Sequence, residues 1–378
     1  MEHAGTPLAE NQKKSTIACR DSTAIHPVVE ARKLSELMER LLGEEWIALD
    51  TEANGLHAYP GHLCLIQLSG ECFQGIVEPL AELNLSPLLE LLSNKSLVLH
   101  SCEFDLRMLK TAGDFHPKKI FDTSLAARFL GHKRVGLAAL VERYFGVKLP
   151  KENQKANWGQ RPLSESMLDY ARNDVAFLLP LQKELEEALK GLNRWEWYCQ
   201  SCSQLVQGSL VESEPADDVS FWRLNAKPRF AGRSLAVLWE LWRWREGEAL
   251  RANLPPFRIM RNEQLVSVVN CVNEGLAPKV SFKSKRIMTA LFSAIDKGRA
   301  LPEGEWPVKQ RAKKLRLSES QESVFNQIKE RRDTVASKHA IDPALIISNA
   351  KIEALARGSQ AVREMLLPWQ KQLLGLVE

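Results

Sequence analysis

The C-terminal part of this sequence repeats itself, and this repeat constrains the possible folds of the chain more than any other feature. At an offset of 87 residues, two segments superpose without a gap over about 30 positions, and their apolar residues coincide at helical spacing. Chance similarity between amphipathic helices is the alternative, but a shared proline and asparagine favour two copies of one small helical domain. The identical pairs are Val237 and Val324, Arg245 and Arg332, Ala249 and Ala336, Pro256 and Pro343, Ile259 and Ile346, and Asn262 and Asn349.

Short apolar runs bounded by turn residues characterise the N-terminal part instead. One run ends in Asp50 and is followed by Asn54-Gly55, which is typical of a buried strand that enters a turn. A helical leucine pattern between Leu80 and Leu92 separates the third run from the fourth, so the sequence predicts an α/β sheet. From Phe104 to Leu185 the pattern is mainly helical. The predicted strands are Trp46–Leu49, Cys64–Leu68, Phe73–Val77 and Leu97–Leu99.

Several domains are expected, because 378 residues exceed what one hydrophobic core usually organises. A polar stretch around Gly208 and Pro215 indicates a connection between the α/β part and the repeats. We therefore predict five segments: a loose arm over 1–25, an α/β domain over 26–200, a linker over 201–227, a first helical domain over 228–305 and a second over 306–378.

The composition is that of an ordinary globular protein, with 44% hydrophobic and 26% charged residues. A net charge of +4 is only a faint indication of an anionic partner. Seven cysteines without regular pairing indicate reduced thiols, and the CxxC pair of Cys199 and Cys202 has no further zinc ligands nearby. There is no secretory pattern and no apolar run long enough for a membrane span, so we expect a cytoplasmic protein that does not bind membranes.

Asp50 and Glu52 are the first candidates for chemistry. One residue separates them at the end of a buried strand, so strand alternation puts both side chains on the same face. Two acids there are costly to ionise unless cations neutralise them, and hard divalent cations with oxygen ligands are the natural partners. Acids at strand ends also commonly face solvent, so this pair alone is weak support for catalysis.

Two further positions carry acids in a suitable setting. Asp105 follows the predicted strand Leu97–Leu99 and opens a helix, although an acid there can simply interact with the helix N-terminus. Tyr170 and Asp174 are four residues apart on a predicted helix and share one face. A phenol and a carboxylate can therefore converge on one point, or form only a surface hydrogen bond. We interpret a further acid, Asp122, as structural.

Asp122 set aside, five candidates remain, and together they resemble the four acids and the tyrosine of the DEDDy exonucleases: Asp50, Glu52, Asp105, Tyr170 and Asp174. The flanking motifs are most similar to the ribonuclease D family. The similarity covers about residues 28–190. The C-terminal repeats resemble HRDC domains, and the first copy is the clearer match. The matching motifs are WIALDTEA over 46–53, LCLIQLS over 63–69, LVLHSCEFDL over 97–106 and NWGQRPLSESMLDYARNDVAFLLPL over 157–181.

This resemblance implies a ribonuclease H-like exonuclease domain, a mixed sheet flanked by helices, followed by two all-helical HRDC-like domains. It also implies two divalent ions, Mg²⁺ or Mn²⁺. In the family pattern Asp50 bridges the ions and Asp105 supports one of them. Glu52 and Asp174 help to hold the ion that activates water, and Tyr170 orients that water.

Residues for substrate binding are expected at two places. Gly55-Leu56 resembles the family position at which an apolar side chain wedges against the terminal base, although a core leucine is the alternative. Between Lys279 and Arg316 the sequence has eleven basic and three acidic residues. A charge run is usually a solvated face, but an RNA-processing exonuclease must hold its substrate beyond the terminal nucleotide. We select Lys283, Lys285, Arg286, Lys313 and Lys314 as candidate contacts.

The sequence thus predicts a metal-dependent hydrolase that removes nucleotides one at a time from single-stranded RNA 3′ ends and releases nucleoside 5′-monophosphates. The resemblance implies tRNA precursors as substrates. A DNA exonuclease on the same fold is one alternative, because the choice of sugar depends on contacts to the 2′-hydroxyl group. A non-catalytic RNA-binding protein is the other, and the complete set of acids argues against it.

Overall fold

The structure is a computed structural model, and it describes residues 26–150, 152–210, 217–224, 230–308 and 316–376. The described residues form two compact units. The first contains residues 26–53, 63–150, 152–210 and 316–376, and the second contains 54–62 together with the described residues between 217 and 308. The second copy of the repeat therefore shares a unit with the α/β part, whereas the first copy belongs to the other unit.

A five-stranded sheet lies at the centre of the first unit. Its strands are β1 (Trp46–Ala53), β2 (Leu63–Ser69), β3 (Gln74–Val77), β4 (Ser96–Leu99) and β5 (Lys119–Asp122). The strand order is β3-β2-β1-β4-β5. β1 pairs antiparallel with β2 and parallel with β4, β2 pairs antiparallel with β3, and β4 pairs parallel with β5. The sheet is therefore mixed, as the family resemblance implies.

Helices cover both faces of this sheet. They are α1 (Ala31–Leu42), α2 (Ser86–Ser93), α3 (Glu103–Ala112), α4 (Thr123–Phe129), α5 (Leu137–Phe145), α6 (Glu165–Ala176), α7 (Leu178–Gly191) and α8 (Trp195–Leu210), with a short 3₁₀ turn over Pro79–Ala81. Leucines of α1, α2 and α3 pack with Ile47 and Leu49 on one face of β1. Ala48, on the other face, packs with residues of α4 and α7. All seven residues of β2 are buried, as expected for a strand between two helical layers.

The strand β5 was not predicted, because the sequence pattern after Phe104 is mainly helical. β5 is only four residues long, and Lys119 at its start is exposed, so its apolar signal is weak. Its last residue, Asp122, accepts hydrogen bonds from the backbone N–H groups of Cys102 and Leu125, both at 2.7 Å. Asp122 therefore begins α4 as a buried N-cap, and its structural role is confirmed.

The predicted linker over 201–227 is helical at every residue that the structure describes. Helix α8 continues to Leu210 because Cys202 and Ser209 are buried along one of its faces. A further helix, α9 (Asp217–Leu224), buries Phe221 and Leu224 in the core of the second unit. The linker prediction was wrong for these residues. Polar residues on the exposed faces of these helices lie between the few buried ones, so the sequence pattern did not indicate a helix.

The first copy of the repeat supplies most of the second unit. It consists of α10 (Gly232–Ala252), α11 (Pro256–Ile259), α12 (Asn262–Asn273) and α13 (Lys285–Ala300). Phe221 lies at the centre of the core, with ring centroids 4.6 Å from Trp239 and 5.9 Å from Trp242. Among the described helices, none combines the length and the apolar character that crossing a membrane requires.

The second copy packs on the α/β part. It consists of α14 (Glu319–His339), α15 (Pro343–Ile346), α16 (Asn349–Ala356), α17 (Gln360–Met365) and α18 (Pro368–Leu374). Trp369 is buried, and its ring lies 5.5 Å from Phe129 of α4 and 5.4 Å from Trp197 of α8. Arg194 donates a hydrogen bond to the backbone carbonyl of His339 at 2.7 Å. The two parts thus share one hydrophobic core.

The repeat is visible in the structure residue by residue. Helices α10 and α14, α11 and α15, and α12 and α16 start 87 residues apart. In the first copy the buried guanidinium of Arg245 donates to the carbonyl of Met260 at 3.2 Å and to Oδ1 of Asn262 at 2.7 Å. Arg332 makes the equivalent bonds to Ile347 and Asn349 at the same two distances. The identical arginines and asparagines therefore fasten the long helix of each copy to the segment that follows.

Candidate active site

The strand β1 presents Asp50 and Glu52 on one face of the sheet. Thr51 points to the opposite face, beside the leucine-rich core, because side chains alternate along a strand. Across the antiparallel pair, Asp50 lies opposite Gln67 and Glu52 lies opposite Leu65. The central position of β1 in the sheet keeps both carboxylates partly buried.

Helix α6 brings Tyr170 and Asp174 to the same place. The helix begins after Ser164, whose hydroxyl accepts a hydrogen bond from the N–H of Met167. Tyr170 and Asp174 are one turn apart, and their side chains are hydrogen-bonded to each other. Carboxylate oxygens of Asp50, Glu52 and Asp174 all lie within 4.8 Å of one another. The structure thus brings together three of the four predicted acids and the tyrosine.

Asp105 lies in the first turn of α3. It contacts Thr51, the residue between the two acids of β1. Its Oδ1 accepts hydrogen bonds from the backbone N–H of Thr51 at 3.1 Å and from the hydroxyl of Thr51 at 2.6 Å. The Asp105 side chain is buried, and it does not belong to the group of three carboxylates within 4.8 Å. In this structure, therefore, Asp105 fastens β1 to α3.

The acids strongly disfavour one another's ionisation. Burial, followed by the charges of Asp105, Asp174 and Glu52, raises the pKa of Asp50 well above its usual value. Burial, followed by the charges of Asp174 and Asp105, raises the pKa of Glu52 to about 9. Burial raises the pKa of Asp105 and of Asp174 to about 7, although hydrogen bonds from Thr51 and Tyr170 oppose these two shifts. Burial also raises the pKa of Tyr170, so its hydroxyl keeps its proton at neutral pH.

The donor set fits a divalent metal ion. Hard cations such as Mg²⁺ and Mn²⁺ prefer carboxylate oxygens, and three converge here. Their mutual repulsion is relieved when a cation binds between them, because the cation favours the charged form of each acid. We therefore interpret this cluster as a divalent metal site formed by Asp50, Glu52 and Asp174, with Asp105 close behind β1.

Gln67 is a residue of this site that the sequence analysis missed. It lies directly opposite Asp50 and its side chain is fully buried. Neither its amide oxygen nor its amide nitrogen has a hydrogen-bond partner among the described residues, which is unusual for a buried amide. The signal was a single glutamine within an otherwise apolar stretch of β2. Gln67 thus offers an unused donor and acceptor next to the acids.

The predicted substrate contacts lie in the second unit or outside the described residues. Gly55 and Leu56 belong to the loop between β1 and β2, and Leu56 is 48% exposed, so it is not a core leucine. Lys283 and Lys285 are exposed. Arg286 pairs with the buried carboxylate of Glu248 through two hydrogen bonds of 2.6 and 2.9 Å. Lys313 and Lys314 lie outside the described residues.

A groove in the second unit was also missed. Its volume is about 620 Å³, and arginine and phenylalanine side chains line it without any acid. Phe257 is 49% exposed, so an aromatic face is available for stacking. The sequence signal was weak, because these residues come from two separate segments of the first copy. Those that matter here are Phe257, Arg258, Arg261 and Phe282.

Comparisons with known proteins agree with this geometry. The 3′-5′ exonuclease family matches residues 25–190, and the HRDC domain family matches residues 234–271, within the first copy of the repeat. Ribonuclease D of Zymomonas mobilis is 30% identical over 367 residues, which cover 93% of this chain and 92% of that protein. Ribonuclease D of Granulibacter bethesdensis is 27% identical over 360 residues and covers 92% and 90%.

A solved structure is similar along nearly the whole chain. The crystal structure of Escherichia coli RNase D, described as an exoribonuclease involved in structured RNA processing, superposes with a TM-score of 0.71 at 25% identity. The similarity covers 94% of this chain and 97% of that one. It therefore extends through both copies of the repeat.

Proposed function

The chain belongs to the ribonuclease D family, and from this premise we propose that it is a metal-dependent 3′–5′ exoribonuclease that releases nucleoside 5′-monophosphates. The observation that carries the proposal is the convergence of Asp50, Glu52 and Asp174 within 4.8 Å, next to Tyr170. Burial and mutual repulsion raise the pKa values of these acids, so the cluster favours a bound cation, and it suits the metal-assisted hydrolysis of a phosphodiester.

Two divalent ions, Mg²⁺ or Mn²⁺, would neutralise the scissile phosphate and lower the pKa of the attacking water when bound. Asp50, Glu52 and Asp174 provide the ligands, and Asp105 contributes its negative charge from behind β1. Because Asp105 holds both the N–H and the hydroxyl of Thr51, it also fixes the strand between the two acids of β1.

Tyr170 acts on the water rather than on the substrate. Its hydroxyl keeps its proton and donates to Asp174, so its oxygen lone pairs remain available to accept a hydrogen bond. A water held there is oriented for attack on the phosphorus. The ring of Tyr170 packs 5.9 Å from that of the buried Trp158, which limits the movement of the hydroxyl.

The proposed substrate is RNA with a single-stranded 3′ end, and tRNA precursors, which would be trimmed in the cytoplasm, are the proposed physiological class. Leu56 is the proposed wedge against the terminal base. Upstream nucleotides are proposed to bind the groove of Phe257, Arg258, Arg261 and Phe282, where arginines attract the backbone and phenylalanines stack on bases. Lys283 and Lys285, which are exposed and follow Phe282 in the sequence, are proposed as further backbone contacts, whereas Arg286 is already paired with Glu248. Lys313 and Lys314 stay predictions.

The test is digestion of matched 5′-labelled single-stranded RNA and DNA with Mg²⁺ or Mn²⁺. Wild type should shorten the RNA stepwise, and Asp174→Asn should lose activity by about a hundredfold or more. Asp169→Asn is the matched control, because Asp169 lies on the same helix but is exposed and pairs with Arg172. A preference for DNA would support the alternative DNA exonuclease, and no cleavage of either polymer would support a binding protein.

A further inference from the structure

The loop of residues 54–62, which joins β1 to β2, is closed on itself at its base. It begins two residues after Glu52. The buried Asn54 accepts a hydrogen bond from the N–H of His62 through its side chain at 2.7 Å, and its carbonyl accepts from the N–H groups of His57 and Ala58. Gly55 and Gly61 are in close contact, since a Cβ on Gly61 would lie 2.8 Å from the Cα of Gly55. The base of the loop is therefore closed by several hydrogen bonds and by a close contact between its two glycines.

The first copy of the repeat holds the tip of this loop. The hydroxyl of Tyr59 donates a hydrogen bond to Oε2 of Glu246 at 2.7 Å, and the N–H of Tyr59 donates to Oδ1 of Asn253 at 3.2 Å. A guanidinium nitrogen of Arg258 lies 3.3 Å from Nδ1 of His57. These contacts come from the long helix α10, from the residue that ends it and from α11. They explain why residues 54–62 form one compact unit with the first copy.

The second copy shows that the helical fold does not require these contact residues. Its equivalent positions carry Asp333, Ala340 and Leu345. Asn253 and Ala340 both have a left-handed backbone, at φ values of 48° and 51°, and both end their long helix. Asparagine is favoured in that conformation, but alanine adopts it here, so the side chain of Asn253 is not needed to end the helix. Its use is the hydrogen bond to Tyr59.

We infer that the first copy of the repeat is a positioning element for the exonuclease reaction, and that Tyr59, Glu246 and Asn253 hold the loop that carries Leu56. This inference rests on the proposed function, in which Leu56 contacts the terminal base. A loop that is already ordered does not lose conformational freedom when RNA binds, so the contact with the base is formed at a lower entropic cost. The contribution of the first copy is then a preorganised loop, in addition to any direct contact with RNA.

Amide hydrogen exchange and steady-state kinetics on the full-length protein test this inference. In Tyr59→Phe and in Glu246→Ala, exchange over residues 54–62 should accelerate by about tenfold or more, because the loop opens locally. The KM for single-stranded RNA should rise by about fivefold, whereas kcat should stay within about twofold. In the double variant the two effects should not add, because both substitutions remove the same hydrogen bond.

Asp333→Ala is the matched control. Asp333 and Glu246 each pair with the arginine that both copies share, Arg332 or Arg245, but only Glu246 also accepts a hydrogen bond from Tyr59. The control should leave both loop exchange and KM unchanged. The inference is overturned if Tyr59→Phe and Glu246→Ala exchange like wild type, or if the loop loosens without any rise in KM. Loop exchange is measured without RNA, so it reports on this clamp even if the wild-type protein were to fail in the digestion assay.

Discussion

The two copies of the repeat share an internal frame but differ in what they contact. In both copies a buried arginine fastens the long helix to the asparagine that opens a later helix. The first copy builds its own core around Phe221 and receives the loop of residues 54–62. The second copy shares its core with the α/β part through Trp369. A duplicated sequence can thus keep the residues that maintain its fold while its surface specialises for different contacts.

The largest expected effect is a loss of stability when the core shared by the second copy and the α/β part is disrupted. Trp369→Ala should lower the free energy of unfolding of the first unit by about 3–5 kcal/mol, since it removes a buried indole between two aromatic rings. Trp242→Ala should instead destabilise the second unit, where Trp242 is buried. Denaturant titrations that follow each unit by amide exchange would check this. Equal effects of both substitutions on both units would contradict the comparison.

Metal binding should stabilise only the unit that contains the acids and the second copy. A Mn²⁺ concentration one hundred times the dissociation constant should add about 2.7 kcal/mol to the stability of that unit. At one fixed Mn²⁺ concentration, this gain in stability should be larger at pH 8 than at pH 5.5. The pKa values of Asp105 and Asp174 are raised to about 7 and that of Glu52 to about 9, so at low pH protons compete with the metal.

Without metal, the stability of the first unit should also depend on pH, because the same acids have raised pKa values. A folded-state pKa above the unfolded one means that the folded state binds more protons between the two values. Stability of the metal-free unit should therefore fall as pH rises from about 4 to about 7. Thermal unfolding over this range, with and without Mn²⁺, measures both effects. A metal gain independent of pH would contradict the assignment of the acids as ligands.

A smaller effect is expected where the second copy meets α4. Gly131 has a φ of 79°, and a Cβ there would overlap the carbonyl oxygen of Ala340. Gly131→Ala should destabilise the first unit by about 2 kcal/mol in total, of which about 1 kcal/mol is the conformational cost of the left-handed backbone. Gly275→Ala in the first copy is the control, since its φ is 70° but no atom lies within 4 Å of its Cβ position. Equal losses of stability in the two variants would show that there is no steric contact between residue 131 and the carbonyl of Ala340.

The smallest effect concerns RNA binding by the first copy. Arg261→Ala should reduce the slope of log affinity against log salt by about 0.7, which corresponds to one lost phosphate contact on a single strand. The second copy carries Ser348 at this position, so it lacks the contact. Lys351→Ala, in the second copy, should leave the slope unchanged. Binding titrations at several salt concentrations measure both, and equal slopes for all variants would remove the groove from the proposal.

Local patterns explain which parts of this protein were predictable. Asp50 and Glu52 follow an apolar strand, and Tyr170 and Asp174 share a helical face, so their side chains could be paired from spacing alone. The weak strand β5 and the helical nature of the predicted linker were missed, because few buried residues mark them. The contact of Asp105 with Thr51, 54 residues away in sequence, has no local signal. Nor has the burial of Gln67 opposite Asp50.

From its local patterns the sequence by itself predicted an α/β sheet and the duplication at an offset of 87 residues, and its resemblance to a known family predicted the mixed sheet and the five candidate active-site residues. Periodicity and spacing are properties of neighbouring positions, and self-similarity and family motifs can likewise be read without knowing which residues meet in space. Only the tertiary structure decided that the second copy shares a core with the α/β part and that the first copy holds the loop of Tyr59. The physical reason is that both outcomes depend on complementary surfaces formed by residues far apart in the chain, such as Tyr59 and Glu246, and no local pattern encodes that complementarity.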